Sequence, residues 1–400
     1  MKSGDQKLRN YVFAKRVNSI TPSPTLAMNA RAQQLAIQGH AVINLSVGEP
    51  DFTTPKFIDD AAKKAIDTGL ASFYTPTLGI KELRTAVANH ESSIDHLQAA
   101  NVAVTASTKL ALYALMQILV SDGEKVVIAA PYWVSYQEQV KLAQGEFYPI
   151  LPHNPDFKLT TAELEKLDFI PKVVIVNNPT NPTGAVYSAT EMQSLIKWAN
   201  INDAFLIVDE IYDKLVYNKT TFTSVLKLAS IKNQKLIVVN GVSKAYAMTG
   251  WRIGWVLADE QIITQLGIVL DHITSNPAAV SQYAALAAVN GDNTSVNQMK
   301  QQFEKRLNTT WPQLTEIPGL IFGAKPQGAF YCFMKVDPKV LERKVMKNTT
   351  ELTLDILEKK QVALAAGEGF GLPGFLRLSY AKKQDQINEA IKRLKAYFSE

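Results

Sequence analysis

The stretch PKVVIVNNPTNPTGAVYSATEMQSLIKWANINDAFLIVDEIYDK, residues 171–214, contains the pattern that decides the fold. Two unbroken apolar, β-branched runs, VVIV (173–176) and FLIV (205–208), flank a helical stretch, EMQSLIKWANIND (191–203). Neither run alternates with polar residues. A strand built from either is therefore covered on both faces, as in parallel sheets with helices above and below. The same alternation continues outward through NVAVT (101–105), the helical KLALYALMQILV (109–120), KVVIAAP (125–131), KLIVVNG (235–241) and IGWVLA (253–258). The expected fold is α/β, with a large domain whose mostly parallel sheet is covered by helices on both faces.

After residue 290 the pattern changes to a charged helix (MKQQFEKRL, 299–307), apolar strands (GAFYCFMKV, 328–336; FLRLSYA, 375–381) and a closing helix (QINEAIKRLKAYF, 386–398). These suggest a smaller α+β domain. The expected division is residues 1–48 as an N-terminal segment joining the small domain, 49–290 as the large domain, and 291–400 as the small C-terminal domain. No repeat or Pro/Gly/Ser-rich linker marks these boundaries.

Composition narrows the function classes. With 400 residues, 46% of them hydrophobic and 20% charged, the chain is globular and long enough for two cores. The 42 Lys and Arg against 37 Asp and Glu give +5 without a dense basic run, which argues against nucleic-acid binding and is compatible with anionic ligands. The single cysteine, Cys332, sits in an apolar run and reads as core, so no intramolecular disulfide is expected. MKSGDQKLRN (1–10) is polar, and no run approaches the length of a membrane span, so a cytoplasmic protein is expected. His40, His90, His96, His153 and His272 form no ligand-spaced cluster, and no metal is expected.

In open parallel sheets, ligands bind beyond the carboxyl ends of the strands. Asp209 and Tyr212 follow FLIV; Ser243 and Lys244 follow KLIVVNG, with Arg252 past a Met-Thr-Gly-Trp turn. Read singly, Asp209 as easily caps a turn, and the basic residues are as easily surface groups. Together they suit one task, binding a phosphorylated pyridine aldehyde as an electron sink: an amine for the aldehyde, an acid for the ring nitrogen, and Arg and Ser for the phosphate. Ser107, Thr108 and Lys109 open a helix whose N-terminal N–H groups and dipole attract an anion. Simple N-capping by Ser107 or Thr108 is the alternative. Lys109 at that position opposes the dipole unless an anion is near. Asn181 lies in a Pro- and Gly-shaped loop after VVIV, where an ordinary turn is the plain alternative. Trp133 follows KVVIAA, where it either stacks on a ring or packs in the core.

These segments in this order, namely SVGEPDF (46–52), YTPTLGIKELR (74–84), PYWVSY (131–136), NPTG (181–184), DEIY (209–212), SKAYAMTGWR (243–252) and FLRLSY (375–380), resemble the class I aminotransferases, fold type I pyridoxal-phosphate enzymes, and among them the bacterial aspartate aminotransferases. The likeness runs from Thr21 to the C-terminus. It implies Lys244 as Schiff-base lysine and proton shuttle, Asp209 on the ring nitrogen, Asn181 and Tyr212 on the phenolate oxygen, and Trp133 stacked on the ring. It implies phosphate contacts from Thr108, Ser243, Arg252 and the backbone at Ser107 to Lys109. Tyr74 would come from the partner subunit of a homodimer. Arg377 and Gly48 would hold the substrate α-carboxylate. Lys109, with the segment around Ser23 to Thr25, would read the side-chain carboxylate of a dicarboxylic substrate. The sequence departs from many relatives where Ser107 replaces a glycine and Thr108 a small residue.

The expected reaction is ping-pong transamination between aspartate and a 2-oxo acid such as 2-oxoglutarate. An aminotransferase for aromatic or other amino acids, or a β-lyase on the same cofactor, is the alternative. With about twenty residues ahead of the likeness, the helix-turn-helix of a regulator built on this fold is not expected. A nicotinamide enzyme lacks its glycine fingerprint, because GEGFG (367–371) lies near the C-terminus without the required strand and helix, and reads as a loop.

Overall fold

The computed structural model describes residues 11–91 and 93–400, so MKSGDQKLRN lies outside the described residues. The apolar runs form strands β1 (Val102–Thr105), β2 (Lys125–Ala129), β4 (Val173–Asn177), β5 (Phe205–Asp209), β6 (Leu236–Gly241) and β7 (Gly254–Leu257). A further strand, β3 (Glu146–Ile150), pairs with β2 at the sheet edge. Its mixed sequence and Pro149 suit an edge position, which is why no continuous apolar run marks it.

The strand order is β1-β7-β6-β5-β4-β2-β3. Pairings from β6 through β3 are parallel, whereas β7 is antiparallel to both β6 and β1. Between Gly241 and Gly254 the chain forms only the short 3₁₀ turn Thr249–Trp251, with no helix to carry a parallel crossover, so it doubles back.

Side-chain alternation divides the sheet into two buried faces. Val104, Val127, Val174, Val176, Val208 and Val238 pack beneath helices Lys81–His90, Ala189–Ile201 and Ala279–Asn290. Val126, Ile128, Ile175, Ile207, Ile237 and Val256 pack beneath Thr108–Leu119, Ser135–Leu142 and Glu260–Ile273. Coverage of both faces explains the unbroken apolar strands. It also leaves the strand ends as the place where polar side chains gather.

A second, antiparallel sheet has the order β10-β11-β9-β8, with β8 (Leu320–Phe322), β9 (Tyr331–Val336), β10 (Ala365–Ala366) and β11 (Phe375–Ser379). Helices Thr294–Thr315, Thr349–Lys360 and Gln384–Ser399 bury Phe303, Ile356 and Leu394 in a core shared with Cys332, Leu376 and Leu378. The helix Pro24–Ile37 sets Met28, Ala32 and Leu35 against Leu357 and Ala363, while Ile43–Asn44 pairs with Val362–Ala363. The segment GEGFG is a 3₁₀ turn, Gly367–Phe370, rather than the loop expected from sequence. It seats Phe370 in the interior beside Phe333.

Candidate active site

Strands β1, β2, β4, β5 and β6 all end at one edge of the large sheet, and antiparallel β7 begins there. The residues after the first five and those before β7 therefore converge. They line a cleft of about 280 Å³ that collects Gly48, Ser107, Thr108, Lys109, Trp133, Asn181, Asp209, Tyr212, Ser243, Lys244, Arg252 and Arg377. Ser23 and Thr25, at the start of helix Pro24–Ile37, border the same space.

Lys244 donates from Nζ to the Gly48 carbonyl at 2.6 Å. Burial lowers its pKa to about 8; Arg377 and Arg252 act in the same direction, against the opposing pull of Glu49 and Asp209. With no ion-pair partner among the described residues, the buried ammonium gives up its proton near pH 8. Glycine at 48 is explained by packing, because a Cβ there would run into Tyr331 Oη.

Asp209 ends β5, hydrogen-bonded into the sheet, with 4% of its surface exposed. Its Oδ1 accepts from Ile211 N at 3.1 Å, so it does cap the following turn. Its Oδ2 accepts from Tyr136 Oη at 2.7 Å. Burial raises the Asp209 pKa to about 6, while the hydrogen bonds from Tyr136 and Ile211 and the nearby Lys244 hold it down. At pH 7 to 8 it remains a carboxylate, buried and able to face a cationic group. Trp133 borders the cleft and meets Tyr136 edge-on, with ring centroids 5.2 Å apart.

Arg377 is 3% exposed. Its two terminal nitrogens donate to Asn181 Oδ1 (2.9 Å) and Ser46 O (2.6 Å), while Nε has no partner among the described residues. The rings of Tyr331 and Phe370 flank it at 4.4 and 4.7 Å. No carboxylate neutralises it among the described residues, an arrangement expected of a guanidinium that receives an anionic ligand. Because Asn181 Oδ1 is taken by Arg377, the Asn181 amide nitrogen is the part left to donate. The Tyr212 hydroxyl lies 2.9 Å from that of Tyr331.

At the other end of the cleft, helix Thr108–Leu119 begins with no side chain capping it. N-capping by Ser107 or Thr108, the alternative open in sequence, therefore does not occur. Ser107 has φ +90°, a backbone conformation suited to glycine. The loop keeps that shape despite the serine. Thr108 Oγ1 is buried and has no hydrogen-bond partner among the described residues. Gly254 permits the close approach, since a Cβ there would strike the Thr108 backbone. The Lys109 ammonium lies 5.2 Å from the Trp133 ring centroid, and burial and Arg252 lower its pKa. Unsatisfied donors and two adjacent cations make this end a site for an anion.

Tyr74, expected to serve the site of a partner subunit, is 92% exposed and lies outside the cleft lining of its own chain. Sequence reasoning missed Tyr136, Tyr331 and Phe370. Tyr136 lies in PYWVSY, after a strand end, where a second polar group was available to find. Tyr331 and Phe370 were hidden in stretches that read as core strand and loop.

The profile of the family "Aminotransferase class I and II" matches residues 40–394. The chain is 39% identical to an aspartate aminotransferase of Bacillus subtilis over 96% of its length and 98% of that protein. It is 40% identical, with the same coverage, to an asparagine–oxo-acid transaminase of Streptococcus mutans. The crystal structure of an aspartate aminotransferase from Thermotoga maritima superposes with a TM-score of 0.88 at 33% identity, covering 97% of this chain and all of that one.

Proposed function

The chain belongs to the class I and II aminotransferases, and on that premise we propose that it moves the amino group of aspartate to a 2-oxo acid such as 2-oxoglutarate, using pyridoxal 5'-phosphate in the cleft around Lys244. The observation that carries the reading is the buried, carboxylate-free Arg377 facing the same cleft as a lysine whose pKa is about 8.

The residues present suit this cofactor. Thr108 Oγ1 is an orphaned donor at an uncapped helix start, where Ser243, Arg252 and the backbone from Ser107 to Lys109 complete an anion cradle. Asp209 suits a protonated ring nitrogen, Asn181 and Tyr212 an anionic ring oxygen, and Trp133 a ring face. When bound, the cofactor supplies an aldehyde for an amine and a ring that withdraws charge from the substrate α-carbon.

The protein's own part follows from its geometry. Lys244 Nζ, neutral in a useful fraction near pH 8, carries the proton taken from the α-carbon. Arg377 clamps the α-carboxylate with a planar fork and so fixes which bond faces Lys244. Asp209, a buried carboxylate, would hold a positive charge on the ring nitrogen. Amino acid and oxo acid use one cleft in turn, so the kinetics are ping-pong.

Aspartate is favoured over asparagine by Lys109, whose charge has no ion-pair partner among the described residues and rewards a distal carboxylate over an amide. A homodimer is supported by Tyr74, which projects from its own chain beside Phe73, 77% exposed. The division near residues 48 and 290 is supported by the distinct cores of the two sheets, with helix Pro24–Ile37 joining the second, which Ile211, Leu215 and Tyr217 of the large segment also enter. Among the described residues no helix is long and apolar enough to cross a membrane.

Lys244→Ala is the test. Transamination of aspartate should fall by at least about a thousandfold, as expected when a proton-transfer group is removed. Full turnover by that variant would overturn the proposal.

A further inference from the structure

One buried polar side chain in the cleft has no role in the scheme above. Tyr331 opens β9, is 1% exposed, and places its hydroxyl 2.9 Å from that of Tyr212. Its ring lies against Arg377, whose guanidinium carbon is 4.4 Å from the centroid. The antiparallel register sets Tyr331 opposite Ser379, two residues past Arg377 on the neighbouring strand, so the contact is built into the sheet. Above the hydroxyl, the missing side chain of Gly48 leaves the space it occupies, and the Gly48 carbonyl holds Lys244 Nζ. A single side chain thereby meets the phenol suited to the ring oxygen, the arginine suited to the carboxylate, and the loop that holds the lysine.

We propose that Tyr331 is a positioning residue that transmits the state of the carboxylate site to the cofactor's ring oxygen through Tyr212, an inference that rests on the pyridoxal-phosphate reading above. A phenol carries one proton, so within the pair only one hydroxyl donates to the other. If Tyr212 gave its proton to Tyr331, it would have none for an anionic oxygen, which only accepts. An anionic ring oxygen beside Tyr212 therefore selects one order: Tyr331 donates to Tyr212, and Tyr212 donates to the ring oxygen. Hydrogen bonds running in one direction polarise each other, so the first strengthens the second. The Arg377 cation against the Tyr331 ring draws electron density from it and makes Tyr331 the better donor. A carboxylate bound to Arg377 offsets that charge and weakens the relay, leaving more negative charge on the ring oxygen. Substrate recognition and the electronic state of the ring are linked without touching.

The test uses the holoenzyme and three variants: Tyr331→Phe, which removes one oxygen, Tyr212→Phe, and the double variant. The measurement is the pH titration of the visible absorption band, with and without saturating succinate, a dicarboxylate that has no amino group to transfer. Tyr331→Phe should raise the midpoint by a few tenths of a pH unit, roughly the cooperative share of one hydrogen bond. It should also diminish the shift that succinate produces. In the Tyr212→Phe background the same change should have less than half the effect. Equal shifts in the two backgrounds, or no shift in either, would overturn the relay, as would a loss of thermal stability with an unchanged titration. Gly48→Ala, which pushes the Tyr331 hydroxyl aside from the opposite direction, should move the midpoint the same way; an unmoved midpoint counts against the relay. A wild-type chain that develops no visible band with pyridoxal phosphate would instead overturn the underlying function.

Discussion

Ser107→Gly should stabilise the protein without loosening its hold on the cofactor. Ser107 sits at φ +90° and ψ 155°, a region that side chains other than hydrogen rarely adopt. Holding a residue there costs roughly 1–3 kcal/mol. Glycine relieves that strain but loses about 0.5–1 kcal/mol more backbone entropy on folding. The balance favours glycine by roughly 1 kcal/mol. For a chain of this length, that moves the thermal midpoint up by about 1–2 °C, given the usual unfolding entropy per residue. Scanning calorimetry at fixed protein and cofactor concentrations is the assay, because bound cofactor and subunit association shift midpoints by mass action. The serine side chain does not cap helix Thr108–Leu119. If the anion contacts of this loop come from its backbone, the variant's affinity for pyridoxal phosphate should stay within about threefold of the original, since the bond inventory is unchanged. A lower midpoint would refute the strain argument. A tenfold weaker affinity would refute the assignment of the phosphate contact to the backbone.

Lys109→Ala should reduce kcat/KM for aspartate by about tenfold or more and leave phenylalanine nearly unaffected, the loss being that of one charge-assisted contact; equal losses on both would argue against a carboxylate-reading lysine. Tyr136→Phe removes a donor that lowers the pKa of Asp209, so that pKa should rise from about 6. The acid limb of activity should then move to higher pH by roughly half a unit to one unit, and an unmoved limb would show that Tyr136 does not tune Asp209. Glu210 is buried beside Ser224 and Val225, and burial raises its pKa from 4.5 to about 8. The folded state then binds the proton more tightly than the unfolded chain, so this contribution is fully present below pH 4.5 and is lost as pH rises through 8. Glu210→Gln, which imitates the protonated acid, should flatten the fall in stability between pH 5 and 8.5; thermal midpoints falling as steeply as in the parent would contradict this.

The apolar runs β1, β2, β4, β5, β6 and β7 were legible because a strand buried on both faces must be apolar at every position, and only backbone-local information is needed to see it. The polar residues that follow them were legible for the same reason. Once a sheet is parallel, its strand ends are where a ligand can be met, which makes Asp209, Asn181 and Lys244 stand out from sequence alone. Edge strand β3 escaped notice because one side of it meets solvent and its sequence is mixed.

What the sequence determined by itself was the α/β class, the buried strands and the chemical character of the cleft, because each depends on residue type and short-range spacing. Tertiary structure decided the rest. The reversal at β7 brings Arg252 to the same edge as the parallel strand ends, and it follows from a connection that has no crossover helix. Arg377 meets Asn181 across 196 residues. Tyr136 finds Asp209 where helix Ser135–Leu142 packs on the large sheet, and Tyr331 finds Tyr212 where the second sheet meets the first, because a buried polar group must have a partner and only tertiary packing determines which one is within reach.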